Sequence, residues 1–451
     1  MPTNEAMPYI ARHYKIFSPL MNDSTPRIDP YASLRLPEFR YWLGATAFAT
    51  LASRALAVAL GFQIYELSRD PLALGILGLV EAIPAVGLSL FGGHVADRHD
   101  RRAIVLSTRA VSVIAAIAFA VLSFNLQAYG LAALYAVVFV AGIARGFADP
   151  ANTAFEAQVV PRELYTNASS WGGTMGYVTA IVGSALGGFA YAIIGVTNTY
   201  LMIALLFVLA LGCMSLIKKK PMLPVEQGES IWTSIALGVR YVFRSQILVG
   251  SMALDLFAVL FGGAIALLPI FATDILNVGP VGLGFLVAAP SVGALIAMVW
   301  STRFPPVKGA GKLLLVMVAG FGISMIVFAL SKNFYLSLLA LALSGLFDGV
   351  SVVIRFTILS LYSPEHLRGR IAAVNWIFIG SSNEIGAFES GVAASLLGTV
   401  PAVWIGGVVT LLVVAATAVF APKLRNMDLD PKYVPAMQET ERLEIENATG
   451  V

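Results

Sequence analysis

The sequence predicts an all-α membrane protein with twelve transmembrane helices arranged as two six-helix repeats. Three observations carry this. Hydrophobic residues make up 58% of the 451 and charged residues 12%, with a mean hydropathy of +0.81, whereas a soluble domain carries about 25% charge. So little polar surface cannot cover a water-soluble globule of this size. The apolar residues also fall into twelve long runs, and two stretches of the first half recur in the second at nearly one spacing.

Met1 to Arg40 is polar, with prolines at 2, 8, 19, 26, 30 and 37. It lacks the apolar core of a signal peptide and is expected to be a cytoplasmic tail (1–40). A bilayer-crossing helix needs about 20 apolar residues. The runs that meet this are 41–67, 72–96, 103–124, 131–156, 168–195, 198–217, 247–272, 282–302, 313–331, 334–360, 371–396 and 400–421. They are too long for barrel strands, and only helices or closed barrels satisfy the backbone in lipid. Arg69-Asp70-Pro71, Gly130, Pro161 and Pro401 punctuate them. The longest connection, 218–246, places Ile231, Ile235, Val239 and Val242 at helical spacing with Arg240 and Arg244 off that stripe. This predicts an amphipathic helix lying along the membrane face. It divides an N-terminal half, 41–217, from a C-terminal half, 247–422. The polar 423–451 is expected to be a second cytoplasmic tail.

Lys and Arg in the short loops set orientation. With the N-terminus inside, fourteen fall on inner loops: Arg98, Arg101, Arg102, Arg162, Lys218, Lys219, Lys220, Arg240, Arg244, Arg303, Lys308, Lys312, Arg368 and Arg370. The outer loops carry two, Arg69 and Lys332. Both termini are therefore expected inside, in a plasma membrane or bacterial inner membrane.

The halves resemble each other. Residues 78–87, GLVEAIPAVG, match 284–293, GFLVAAPSVG, at five of ten positions. Pro161-Arg162-Glu163-Leu164 and Pro364-Glu365-His366-Leu367 share P-x-x-L. Repeated halves are a transporter signature, with a substrate site between them near the midplane.

After the second run comes GGHVADRHDRR, 92–102, where charges crowd behind two glycines. Gly93, Val95, Ala96, Asp97, Arg98, Arg101 and Arg102 resemble the G-x-L-A-D-R-x-G-R-[KR] loop of the major facilitator superfamily, with Asp100 in place of its second glycine. The resemblance covers about residues 38 to 422. ARGFADPANTAFEAQVVPRELYTNASSW and SPEHLRGRIAAVNWIF are similar to the drug/siderophore exporter branch of that superfamily. Gly183, Gly187 and Gly188 resemble the end of the superfamily's antiporter motif, with Ser184 in place of its proline. The resemblance implies an inner latch at Gly93, Asp97, Arg98 and Arg101. Gly93 would admit a neighbouring helix, Asp97 would face a helix N-terminus of the other half, and the arginines would hold carboxylates or anionic headgroups. His94 and His99 lack companions for a metal site.

Ionisable residues inside spans are functional candidates. Ten fall there: Arg54, Glu81, Arg109, Arg145, Asp149, Asp255, Asp348, Arg355, Glu384 and Glu389. By the resemblance, spans 1, 4, 7 and 10 line the cavity, which makes Arg54, Arg145, Asp149, Asp348 and Arg355 substrate-cavity candidates. Arg145 with Asp149 and Asp348 with Arg355 share helix faces and are expected to pair. Asp255 has no base on its own span. A buried carboxylate without a counter-charge favours its protonated form, so Asp255, then Glu384, then Glu81, are the proton-coupling candidates. Arg109 is expected to snorkel, and Phe48, Trp171, Phe257 and Trp376 either to stack on substrate or to pack.

The chain has no G-x-x-x-x-G-K-[ST] loop for ATP, no Ser-His-Asp set or metal cluster, and four histidines in all. No enzyme, cofactor or metal is expected. A net charge of +3 suggests no nucleic-acid partner, and Cys213, the single cysteine, excludes an intrachain disulfide. The expectation is a monomeric, proton-coupled exporter of an amphipathic small molecule, a drug-like compound or a siderophore. An importer or lysophospholipid flippase of the same fold, or a non-transporting sensor or assembly factor, are the alternatives.

Overall fold

The computed structural model describes residues 29–221, 231–364 and 367–429. Most of both expected tails, residues 222–230 of the central connection, and Glu365 and His366 of the second P-x-x-L lie outside the described residues. Every regular element among those described is helical.

Ten helices are long and apolar enough to cross a membrane. One of them holds two spans: the element Tyr165–Ser215 has 51 residues, and its backbone leaves the helical region at Gly195, with φ 78° and ψ 169°. A side chain is poorly tolerated there, so glycine reverses the chain. Arg368–Leu397 is a further span, set apart from the rest by Arg368, Arg370, Glu384 and Glu389. The result is the twelve expected: α1 (Pro37–Ser68), α2 (Pro71–Arg98), α3 (Arg101–Phe124), α4 (Leu126–Val159), α5 (165–194), α6 (196–215), α7 (Gln246–Gly262), α8 (Gly279–Arg303), α9 (Ala310–Leu330), α10 (Phe334–Tyr362), α11 (Arg368–Leu397) and α12 (Thr399–Phe420). The central connection carries the expected helix, Ile231–Arg244. It lies on α11, with Gly238 against the Arg370 carbonyl.

Helix starts follow from their caps. Asp70 accepts from the Leu72 N–H with Pro71 at the first helical position, Asp100 accepts from Arg102 and Ala103, and Asn333 accepts from Tyr335 and Leu336. Each satisfies donors that the first turn leaves unpaired.

The internal repeat is visible in the packing. A Cβ on Gly142 of α4 would lie 2.8 Å from Pro84 of α2, and one on Gly345 of α10 would lie 1.9 Å from the carbonyl of Pro290 of α8. Gly146 and Gly349 repeat the contact one turn on, against Leu88 and Ala294. Small residues let membrane helices approach closely, and the same prolines and glycines build the same helix pair in each half. Arg145 and Asp348 occupy corresponding places in α4 and α10.

The seventh span is discontinuous, not the unbroken helix expected over 247–272. α7 ends at Gly262, and the chain continues through turns at Ile265–Leu267 and Leu268–Ile270 to a single π turn, Phe271–Ile275. The Gly263 carbonyl freed by the break accepts from Ser390 Oγ of α11 at 2.9 Å. Broken spans occur where neighbours re-satisfy the backbone in this way.

The two ends of the bundle differ. One end carries Arg98, Arg101, Arg102, Lys218, Lys219, Lys220, Arg303, Lys308 and Arg368, and is called the basic end; the opposite, sparse end carries Arg69 and Lys332. At the sparse end the halves are sealed. A Cβ on Gly75 of α2 would lie 3.0 Å from Gly391 Cα of α11, and one on Gly188 of α5 would lie 2.4 Å from the Pro280 carbonyl of α8. Toward the basic end, a Cβ on Gly87, Gly93, Gly176 or Gly380 would meet nothing within 4 Å. On the α5–α8 side, a Cβ on Gly173 would lie 3.4 Å from Met298.

Candidate functional site

Four charged side chains from three helices meet in the middle of the bundle. Arg145, about halfway along α4, donates to Glu81 Oε1 of α2 at 2.7 Å. The same nitrogen is 3.4 Å from Glu384 Oε1 of α11, and Arg145 Nε is 3.5 Å from Asp149 Oδ2 one turn further on. Glu81 is ten residues into α2, about 15 Å from its start, which is half of an apolar layer about 30 Å thick. One guanidinium thus serves three carboxylates, one of them from the other half of the molecule. The Glu384 side chain is 20% exposed and that of Asp149 68%, so the web runs from the half interface into an open space.

Arg54 of α1 stands within electrostatic reach of Arg145. It is exposed and has no carboxylate partner among the described residues. Its Cβ faces Gly183 of α5, where an added Cβ would come within 3.0 Å. A Cβ on Gly187 would likewise lie 2.7 Å from Ala55. The three antiporter-like glycines therefore form a packing seam, two against α1 and Gly188 against α8. Arg109 interacts electrostatically with Asp149, so this half-buried arginine faces a charge within the bundle.

A second cluster lies nearer the basic end. Arg355 of α10 forms an ion pair with Asp255 of α7 and is 3.3 Å from Asp348 Oδ1 on its own helix. Arg355 and Asp255 are nearly buried, with side chains 14% and 11% exposed. The expected pairing of Arg355 with Asp348 is present, as is that of Arg145 with Asp149. The lone carboxylate expected at Asp255 is not: its base comes from another helix. Glu81 and Glu384 likewise share Arg145. Helix rotation decides these meetings, and composition along one span does not encode it.

Of the aromatic candidates, Trp171 is tied down, its Nε1 donating to the Pro30 carbonyl at 2.9 Å. Phe257 lies parallel to Phe261 at 6.4 Å on α7, and Trp376 is 62% exposed.

The expected latch keeps to its own half in this state. Arg101 is 3.3 Å from Asp97 and donates to the Ala96 and Ala154 carbonyls at 3.1 and 3.3 Å. Arg102 donates to the Ile217 and Ser215 carbonyls at 2.6 and 2.7 Å, capping the end of α6. Arg98 is exposed. The close helix approach expected at Gly93 occurs instead at Gly92, where a Cβ would lie 2.3 Å from the Gly146 carbonyl of α4. The residue one position on points into open space.

The sparse end holds a contact that sequence reasoning missed. Asp274, in the π turn, accepts from Tyr65 Oη, and Arg69 Nη1 lies 3.1 Å from its other oxygen. Tyr65 and Arg69 end α1, so the contact joins the halves. Arg69 adopts a left-handed φ of 50° and lies over the Tyr65 ring at 5.6 Å. Its place as one of two outer basic residues was the available signal; Asp274 fell just beyond the expected seventh span.

A family described as transmembrane secretion effector matches residues 28–451. The enterobactin exporter EntS of Shigella dysenteriae serotype 1 (strain Sd197) is 27% identical over 406 residues, covering 89% of this chain and 95% of the relative. The multidrug efflux pump Tap of Mycolicibacterium fortuitum is 24% identical over 392 residues, covering 83% and 93%. Among solved structures, a D-xylose-proton symporter superposes with a TM-score of 0.68 at 14% identity, covering 88% of this chain and all of that one (100%). At that identity the likeness is one of fold.

Proposed function

The chain belongs to the transmembrane secretion effector family of the major facilitator superfamily, and on that footing we propose that it exports an amphipathic small molecule by alternating access, driven by protons moving inward. It is a multi-pass membrane transporter and not an enzyme. The loop arginines and lysines support placing the basic end in the cytoplasm. In that orientation the described arrangement is closed outside and open inside, the state that loads cargo for export.

The web around Arg145 carries the proposal, because it joins both halves at mid-membrane and one cation is shared by three acids. In our reading the tie from Arg145 to Glu384 holds the two halves in one state, and either of two events releases it: a proton taken up by Glu384, or an anionic group of the cargo that takes the place of Glu384 on Arg145. On the inner side Glu384 gives up its proton and cargo takes its place on Arg145. On the outer side the cargo leaves and a proton on Glu384 takes over. Each crossing thus carries either cargo outward or a proton inward. The partnerless Arg54 beside Arg145 favours cargo with an acidic group, such as a catecholate siderophore or an acidic drug. The same observation supports a second reading, lysophospholipid flipping.

The test uses inverted membrane vesicles with an imposed pH gradient and a panel of acidic dyes, siderophores and a fluorescent lysophospholipid. The wild type should accumulate one of them, and Glu384→Gln should bind it but lose the response to the gradient. Coupling that survives in Glu384→Gln would remove Glu384 from the proton path. Transport of the lysophospholipid alone would install the second reading.

A further inference from the structure

Away from the central web, at the basic end of the C-terminal half, α8, α9 and α10 part to leave a cleft of about 760 Å³. Its walls are apolar: Ile296 and Trp300 from α8, Leu313 and Met317 from α9, Leu346 and Val350 from α10. Arg303, at the end of α8, and Lys308, on the loop to α9, stand at its rim. Both are exposed, and neither has a carboxylate partner among the described residues. The carboxylate next along this edge, Asp428, accepts from the Gly309 N–H at 3.3 Å. Inside the cleft, Ser301 is 7% exposed, and its Oγ is buried with no hydrogen-bond partner. A buried hydroxyl without a partner calls for an explanation.

The three features share one axis. Ser301 lies two residues before Arg303 on α8, about 3 Å deeper along the helix, and Ile296 lies about 10 Å deeper. Cation, hydroxyl donor and apolar wall therefore follow one another from the membrane face inward, as phosphate, ester and acyl chain do in a phospholipid. Trp300 and Phe304, 60% and 54% exposed and with rings 4.9 Å apart, stand at the same level. Aromatic rings settle at this headgroup depth. The volume lies within the about 300–1,000 Å³ of small-molecule sites.

We propose that this cleft binds one anionic phospholipid of the leaflet at the basic end, its phosphate held between Arg303 and Lys308, an ester carbonyl on Ser301 Oγ, and an acyl chain between α8, α9 and α10. The site is separate from the cargo web and does not depend on the identity of the cargo.

The purified full-length chain in detergent is mixed with phosphatidylglycerol or phosphatidylcholine, and bound lipid is counted by native mass spectrometry. The wild type should retain one phosphatidylglycerol in preference to phosphatidylcholine. Arg303→Gln with Lys308→Gln should weaken that binding about thirtyfold, about fivefold for each surface cation. Ser301→Ala should weaken it about fivefold, as loss of one hydrogen bond does. Arg303→Lys should keep it, and so should Arg162→Gln, which removes an exposed cation from the same end of the other half. Unaltered retention by the double variant, with a wild-type melting midpoint to show that it is folded, would overturn the proposal. Equal retention of phosphatidylcholine would overturn the role of charge. Displacement by free glycerol phosphate as effective as by lipid would make this a site for soluble anions and overturn the lipid.

Discussion

Arg145 and Arg355 solve one problem in two ways. Each is a guanidinium inside the bundle with more than one carboxylate beside it. Arg355 and Asp255 are nearly buried, and both belong to the C-terminal half, so their pair holds α7 to α10. A buried pair that loses one member leaves an uncompensated charge, which costs about 3–5 kcal/mol. Arg355 keeps Asp348, whose side chain is 44% exposed, so Asp255→Asn should meet part of that cost and lower the melting midpoint of the purified protein by several degrees. Asp255→Asn with Arg355→Met should recover part of it, because the charge then left without a partner, Asp348, is the more exposed one. Arg145 is more open and reaches across the halves, so Glu384→Gln should act on coupling and leave the melting midpoint near that of the wild type. If Asp255→Asn instead abolishes gradient coupling at unchanged stability, the roles of the two clusters are reversed. The charged residues themselves were legible, since ten ionisable residues in apolar runs stand out in any reading of the chain. The pairs within one helix, Arg145 with Asp149 and Arg355 with Asp348, were legible too; the pairs between helices were not, because they depend on the rotation of α7 against α10 and of α11 against α4.

At the scale of elements, run length located every span, and the gap between the runs 168–195 and 198–217 falls where the backbone breaks at Gly195. The broken seventh span was misread as continuous, although Gly262-Gly263 stood in the sequence as its signal. An apolar run does not record where a helix pauses inside it. The pause is held by α11: Ser390 donates to the Gly263 carbonyl, and a Cβ on Gly386 would lie 3.0 Å from the Leu260 carbonyl. Ser390→Ala leaves that carbonyl without its hydroxyl and should cost about 1 kcal/mol. The loss is local, so hydrogen exchange over 262–270 should quicken by about fivefold while the rest of the spans keep their protection. Uniform loosening of all spans would show that the contact supports the whole fold and not the break. Small residues tell a related story at Gly92 and Gly93. The motif picks out the pair, but only the packing of α2 on α4 shows that Gly92 is the one under contact in this state.

For the molecule as a whole, a rocking transporter needs a contact that favours each of its two states, and the described state satisfies one of them. The contacts of Asp274 with Tyr65 and Arg69 join the halves at the sparse end. Asp97 and Arg101, at the other end, bond within their own half and are available to the opposite state. A ligand or substitution shifts such an equilibrium only by its difference in free energy between the two states. Asp274→Asn should thus weaken the described state alone. If the change costs about 1.4 kcal/mol, the balance moves about tenfold. Spin labels on Leu67 and Tyr335, both exposed at the sparse end and on opposite halves, should report a new population at longer distance. Asp97→Asn should leave that distance distribution as in the wild type, or sharpen it, and should slow transport by making the opposite state harder to reach. The decisive case is the double variant. If the two contacts favour opposite states of one equilibrium, Asp97→Asn with Asp274→Asn restores the balance and transports faster than Asp97→Asn alone. If Asp97 only anchors its loop, the two defects simply add and the double variant is the slowest of the three.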